Sequence, residues 1–557
     1  MGVQTGVETP RGPASRQLGD RVRFRVDRWR AEPNPLWMRE MRQSARLMRT
    51  PVVLMVVTVL VAMLMAAIGG VMTGTASPAE AGTALFHTFF SLAYFVVTLV
   101  GPALAANSIA SEREGHTWEA VLLTGMRPAQ VARGKFLSSY TSIAMYVVML
   151  APVGALPFLF GGITPIEVLV AFLFLFLMAL LGVAFGLAIS SKMQSLRVAI
   201  LVTLLLAIPI SVACFLALGV GLSVAAHELW TEVPAGPPVW LPTAYGRAPL
   251  GVEYLVYLIA LPVVGITLPA WFLYEVTNAN LTSVTDDRSR GLKRWYLVAA
   301  VATTAACAVP MFAGDLDDVS GFVIAGACVL FFFVVFCAFL FAGEPIGPSR
   351  RVQATLAGAG RLRRWLAPGV IRATVMQLLF SLAAVGALAA CGIGYVHLSG
   401  APRPIEQIEQ IVVFCSYAAG FVLFTIGLTA YLRARASTPA VPRVLLLVFH
   451  FILFTLPWIA AAVAGVLTRS SGGAGDAALA VASPSPIYAG VAVAAVSKPD
   501  PGIAVIASMS WSVIYALVGL LFVAAAARRC NRIIADHEQV LVEADRRLAE
   551  EDRRRAE

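Results

Sequence analysis

Glu112, Glu114, His116 and Glu119 crowd around Trp118 in the stretch SIASEREGHTWEAVLLTGMRP, residues 108–128. Carboxylates beside a histidine could hold a metal or move protons. Glu112 to His116 is not H-E-x-x-H, however, and no other pair among the six histidines has zinc-protease spacing. G-x-S-x-G, the signature of a nucleophile elbow, does not occur. A phosphate-binding loop would need G-x-x-x-x-G-K-[ST]; Gly134-Lys135 is followed by Phe136, and Ala129 stands where the first Gly should be. Catalysis and ATP hydrolysis within this chain are therefore poorly supported. The cluster turns apolar at Val121, Leu122 and Leu123, which suits a contact surface.

The rest of the chain says what must position that surface. Of 557 residues, 59% are hydrophobic and 13% charged, with a mean hydropathy of +0.79. Soluble chains carry about 25% charged residues, so this is a membrane protein. Its seven cysteines include no C-x-x-C pair and read as small buried hydrophobes rather than a disulfide framework or zinc site. The first 50 residues are polar and Arg-rich, too long a preface for a secretory signal.

A helix needs about 20 apolar residues to cross the hydrocarbon core. Such runs lie near 51–70, 84–106, 136–160, 165–190, 198–222, 253–275, 296–313, 319–342, 373–397, 408–432, 443–467 and 503–526. The fold class is thus all-α and polytopic, with about twelve transmembrane helices in two six-helix halves. With twelve spans, 38 of the 42 Lys and Arg residues fall on one side, and only Arg247, Arg403, Arg469 and Lys498 on the other. The positive-inside rule then places both termini in the cytoplasm of a multi-pass protein of the plasma (inner) membrane. The same asymmetry explains the net charge of +10 without nucleic acid as a partner. Within the spans only His87 and His450 are deeply placed ionisable residues. Such poverty disfavours an ion-coupled transporter, while His450 remains a candidate for a substrate path. A neutral histidine bonded to a neighbouring helix is the alternative.

Two elements at the cytoplasmic boundary have a shape. In 32–51, Asn34 can cap a helix and Pro35 can open it. Over 35–49, Trp37, Met41, Ser44, Ala45 and Met48 share one face, with Arg39, Arg42, Arg46 and Arg49 on its flank. An apolar stripe with a basic flank fits a helix lying on the lipid bilayer, arginines toward phosphate; the arginines could also serve only to orient the first span. In the connection 107–135, Gly115 breaks the chain and Thr117 can cap a short helix from Trp118 to Thr124, with Glu119 in its first turn. Gly125 and Pro128 stop it. A helix so short needs a surface to dock on. The plainer reading is a solvated loop.

The run from Asn107 to Lys135, with Ser-Glu-Arg-Glu-Gly, Thr-x-Glu, Leu-Leu-Thr and Gly-Lys, resembles the coupling region of type-2 ATP-binding-cassette (ABC) exporter permeases. NPLWMREMRQ resembles that family's N-terminal interfacial helix. The resemblance implies a six-span unit whose coupling helix sits in a cleft of a separate cytoplasmic ABC ATPase. Glu112, Glu114, Gly115, Thr117, Glu119, Leu122, Leu123 and Thr124 match the region, while Trp118 and His116 occupy variable places. No cofactor is implied in this chain; ATP and magnesium belong to the partner ATPase. Short outward-facing helices precede the sixth span in that family, a place taken here by the outer loop 223–250.

The domains expected are an N-terminal cytoplasmic segment 1–50, a permease unit 51–275, a second unit 276–526 and a charged helix 527–557. In the second unit the loop 343–372 carries Glu344 and six arginines without the Thr-x-Glu pattern. Either it docks in its own way, or only the first unit engages the ATPase and two chains, a homodimer or a second permease, pair. The tail offers Glu543–Arg547, Glu550–Arg554 and Glu551–Arg555 as i,i+4 pairs. The expected function is the permease subunit of an ATP-driven exporter. Its rivals are a non-transporting scaffold for an ATPase and an intramembrane lipid-modifying enzyme.

Overall fold

The computed structural model describes residues 33–46, 49–72, 74, 77–230, 243–314, 316–469, 479–498 and 502–556. Every regular element among them is helical. Ten helices are long and apolar enough to cross a membrane, or eleven if Pro128–Met149 and Ala151–Phe160, bent by 46°, form one span. The remaining expected span, 51–70, coincides with the helix Arg49–Met72. The chain divides into two compact units between Leu281 and Thr282.

In the first unit the sequence sets its helix starts by one recurring device. Ser77-Pro78-Ala79-Glu80 and Thr164-Pro165-Ile166-Glu167 each place a hydroxyl at the cap, proline at the first position and glutamate three residues on. Each forms a reciprocal capping box: Ser77 N donates to Glu80 Oε2 at 2.9 Å, and Thr164 N to Glu167 Oε2 at 2.9 Å. The two helices begun this way, Pro78–Glu114 and Pro165–Ser190, pack closely. A Cβ on Gly186 would lie 2.1 Å from the Pro102 carbonyl oxygen, so only glycine permits that approach. Phe86, Phe89, Phe90 and Tyr94 fill the core between them and their neighbours.

The second unit is centred on the helix Pro404–Arg435, most of whose faces are buried. It meets the helix Gly502–Ala556 at Gly420 and Gly427, where a Cβ would fall 2.3 Å from the carbonyl oxygens of Ser512 and Gly519. That last helix runs for 55 residues, and past residue 531 its side chains are mostly exposed. There Glu543 pairs with Arg547 at 2.5 Å as expected. Glu550 instead pairs backwards with Arg546 at 3.3 Å, a partner four residues away on the same face as Arg554 would be.

Candidate functional site

The N-terminal helix Pro35–Arg46 starts where expected, with Leu36 N donating to Asn34 Oδ1 at 3.0 Å. Asn34 does more than cap, since its Nδ2 donates to the Gln130 carbonyl at 2.7 Å. That ties the helix to the start of Pro128–Met149. Gly134 makes the contact possible: a Cβ there would come within 2.6 Å of Asn34 Oδ1 and 2.9 Å of Leu36 Cβ. Leu36, outside the apolar face read from the sequence, is buried with Val121 and Val131. Trp37 is half-buried and donates from Nε1 to Thr141 Oγ1 at 3.3 Å. Met41 is half-buried and Arg42 exposed. Met48, and the side chains of Arg46 and Arg49, lie outside the described residues.

Four charges join this helix to both ends of the connection. Lys135, 2% exposed, sits 2.9 Å from Glu112 Oε1 and also pairs with Glu40. Its ammonium donates a further bond to the Ser108 carbonyl at 3.0 Å. Arg39 Nη2 completes the set at 2.5 Å from the same Glu112 oxygen. Arg39, expected to face lipid phosphate, is paired here with a carboxylate. A buried lysine is costly unless its charge is paired and hydrogen-bonded, and here three acceptors surround it.

From this knot the connection is pinned residue by residue. Glu114 accepts from Leu196 N at 2.6 Å, satisfying one free N–H at the start of the helix Leu196–Cys214. Arg113 donates to the Met193 carbonyl at 3.2 Å and lies 5.5 Å from the Trp118 ring centre. Gly115 caps the long helix, and His116 turns the chain in the left-handed region at φ 53°. Thr117 does not use its hydroxyl as a cap: Oγ1 donates to the Glu112 carbonyl at 3.3 Å. The short helix Trp118–Leu123 follows, and Gly125, at φ 70°, leaves it. Its inner face is Val121 and half-buried Trp118. Its outer face presents Glu119, Thr124 and Leu123, the last 88% exposed. The Leu122 side chain lies outside the described residues.

Sequence reasoning missed Lys135, Glu40 and Leu36. The available signal was a lone lysine opening an apolar run, with a glutamate among the arginines of the preceding helix.

In the second unit the loop after the helix Val319–Phe341 has its own buried charge. Glu344 meets Lys293 at 2.9 Å, Lys293 donates to the Ala367 carbonyl at 2.8 Å, and Arg433 donates to the Glu344 carbonyl at 2.7 Å. Burial pushes the Glu344 carboxyl above its ordinary range, and the Lys293 ammonium pulls it back. Two short helices follow, Arg350–Leu356 and Arg361–Trp365, with Leu362 exposed. Arg350 pairs with Asp545 of the terminal helix.

His450 sits apart from these clusters. Its Nε2 is 3.1 Å from Thr425 Oγ1 and its Nδ1 2.8 Å from the Leu446 carbonyl. Both ring nitrogens are thereby partnered within the second unit, the geometry of a histidine bonded to a neighbouring helix.

Among the described residues no group of three or more His, Cys, Asp or Glu side chains could hold a metal. Residues 71–233 match the family model described as ABC-2 family transporter protein. The matched stretch contains the whole connection from Glu112 to Thr124. No curated protein matches the chain.

Proposed function

We propose, from the premise that residues 71–233 carry an ABC-2 type membrane domain, that this chain is the permease subunit of an ATP-driven exporter. A separate ABC ATPase, loaded with ATP and magnesium, takes the outer face of the helix Trp118–Leu123. The observation that carries this reading is the division of that helix: Val121 is buried while Leu123 stands 88% exposed beside Glu119. A leucine offered on a short polar connection is a contact waiting for a partner, because burying it gains roughly 1.5–3 kcal/mol.

What lies behind the helix suits force transfer. Trp118 is held by Arg113, and Glu112 by Lys135 and Arg39. A push on the outer face would reach three elements together: the helices Pro35–Arg46, Pro78–Glu114 and Pro128–Met149. Glu114 carries the same push to Leu196 and the helix it begins. Nucleotide-driven closure of the ATPase would tilt these spans and open a path outward. On this reading the connection and both termini are cytoplasmic and the membrane is the plasma (inner) membrane. A second copy of the chain, or a second permease, is a further partner on this reading.

The test is ATPase stimulation in proteoliposomes containing the full chain and the ATPase that co-purifies with it. Glu119→Lys combined with Leu123→Asp should cut stimulation by tenfold or more, since each 1.4 kcal/mol of lost contact is tenfold. Both side chains are exposed, so the yield of folded protein should not change. Unchanged stimulation in well-folded double variant would refute the docking face.

A further inference from the structure

The helix Pro35–Arg46, the end of Pro78–Glu114 and the start of Pro128–Met149 border an open cleft of about 1140 Å³. Its walls are unlike the apolar helices around it. Ser138, Ser142 and Tyr146, four residues apart, line one side as a stripe that climbs ~12 Å along the helix. Leu104 and Ser108 face it from the neighbouring helix. A hydroxyl-lined cleft that rises from a charged mouth into a membrane-spanning segment suits a molecule with a polar head and an apolar body.

Two buried polar atoms of residues on this wall have no hydrogen-bond partner among the described residues: Glu112 Oε2 and Ser108 Oγ. The other Glu112 oxygen is committed to Arg39 and Lys135. A carboxylate oxygen shut away from water calls for a donor. At the mouth, exposed Arg42 makes no ion pair with another described residue and is free to take an anion. Glu112 Oε2 thus lacks a donor, and Arg42 offers a cation at the mouth.

We propose that this cleft binds a phospholipid whose head carries a primary ammonium, of the phosphatidylethanolamine type. The ammonium donates to Glu112 Oε2 and Ser108 Oγ, the phosphate meets Arg42, and the acyl chains leave along Leu104 and Tyr146. The inference needs the helices to span a bilayer but does not depend on ATPase docking, so the two can fail separately.

Native mass spectrometry of the detergent-purified full chain tests it. Phosphatidylethanolamine should be retained about tenfold better than phosphatidylcholine, which has the same charge but no N–H donor. Ser108→Ala should erase most of that preference, and Arg42→Gln should weaken retention of both lipids; Ser108→Ala keeps the backbone carbonyl that Lys135 uses, and Arg42 lies outside the knot. Equal retention of the two lipids by the unaltered chain would overturn the proposal. So would stronger retention of phosphatidylglycerol, which would mark a site for net negative heads. Glycerophosphoethanolamine, the same head without chains, should not be retained; retention equal to that of the lipid would also overturn it. If either variant fails to fold, the comparison of lipids on the unaltered chain still decides.

Discussion

Lys135 and Glu112 stand on opposite sides of the short helix Trp118–Leu123 in the chain, and their side chains close to 2.9 Å beneath it. Because the same lysine reaches Glu40, one buried ammonium staples three elements at the base of the connection.

Lys135→Met should therefore destabilise the first unit by about 3–5 kcal/mol, the usual cost of stranding buried charges. Thermal unfolding of the purified chain reads this directly. Adding Glu40→Gln and Glu112→Gln removes the stranded carboxylates and should recover most of the loss. If the single variant unfolds with the unaltered chain, the staple is not structural.

Gly134→Ala should loosen the N-terminal helix without disturbing the spans. The new methyl would sit 2.6 Å from Asn34 Oδ1, so the cap must move and its bond to Gln130 weaken. Hydrogen exchange over residues 35–46 should accelerate. Gly386→Ala, where a Cβ meets nothing within 4 Å, should leave exchange as it was.

In the second unit Lys293→Met should show a pH signature. Burial holds Glu344 above its ordinary value of 4.5, against the pull of Lys293. A carboxyl with a raised folded pKa contributes stability below its unfolded value and loses it as pH rises through the folded one. Without Lys293 that loss is uncompensated, so the variant should be worst at neutral to alkaline pH, by roughly 3–5 kcal/mol. It should recover as pH falls toward the ordinary carboxylate range. Unfolding temperatures compared across that window check it; a pH-independent deficit would mean Glu344 is not the cause.

The membrane helices could be read from the sequence because burial in lipid demands long apolar runs, whatever packs beside them. The helix start at Asn34-Pro35 was legible because its cap is local; the equally local box of Ser77 and Glu80 went unread because it lies outside the apolar run it begins. The knot was not, since Arg39, Glu40, Glu112 and Lys135 come from three elements and only tertiary packing joins them. The periodicity of 35–49 grouped Arg39 with the arginines expected to face lipid phosphate and left Leu36 off the apolar face. The face that matters most there is set by Val121 and Val131, not by the bilayer. Thr117 likewise had a capper's composition, yet its hydroxyl goes back to Glu112, across the turn made by His116.

The central claim is that an ATPase grips the outer face of Trp118–Leu123. Photo-crosslinking from position 123 in the full chain, beside its co-purifying ATPase, tests it most directly. Position 398, where the native leucine is equally exposed at 90% but lies on the far side of the membrane in this account, serves as the control. A crosslink to the ATPase from 123 and none from 398 is the expected result. An ATPase bound to the chain yet never crosslinked from 123 would contradict the account.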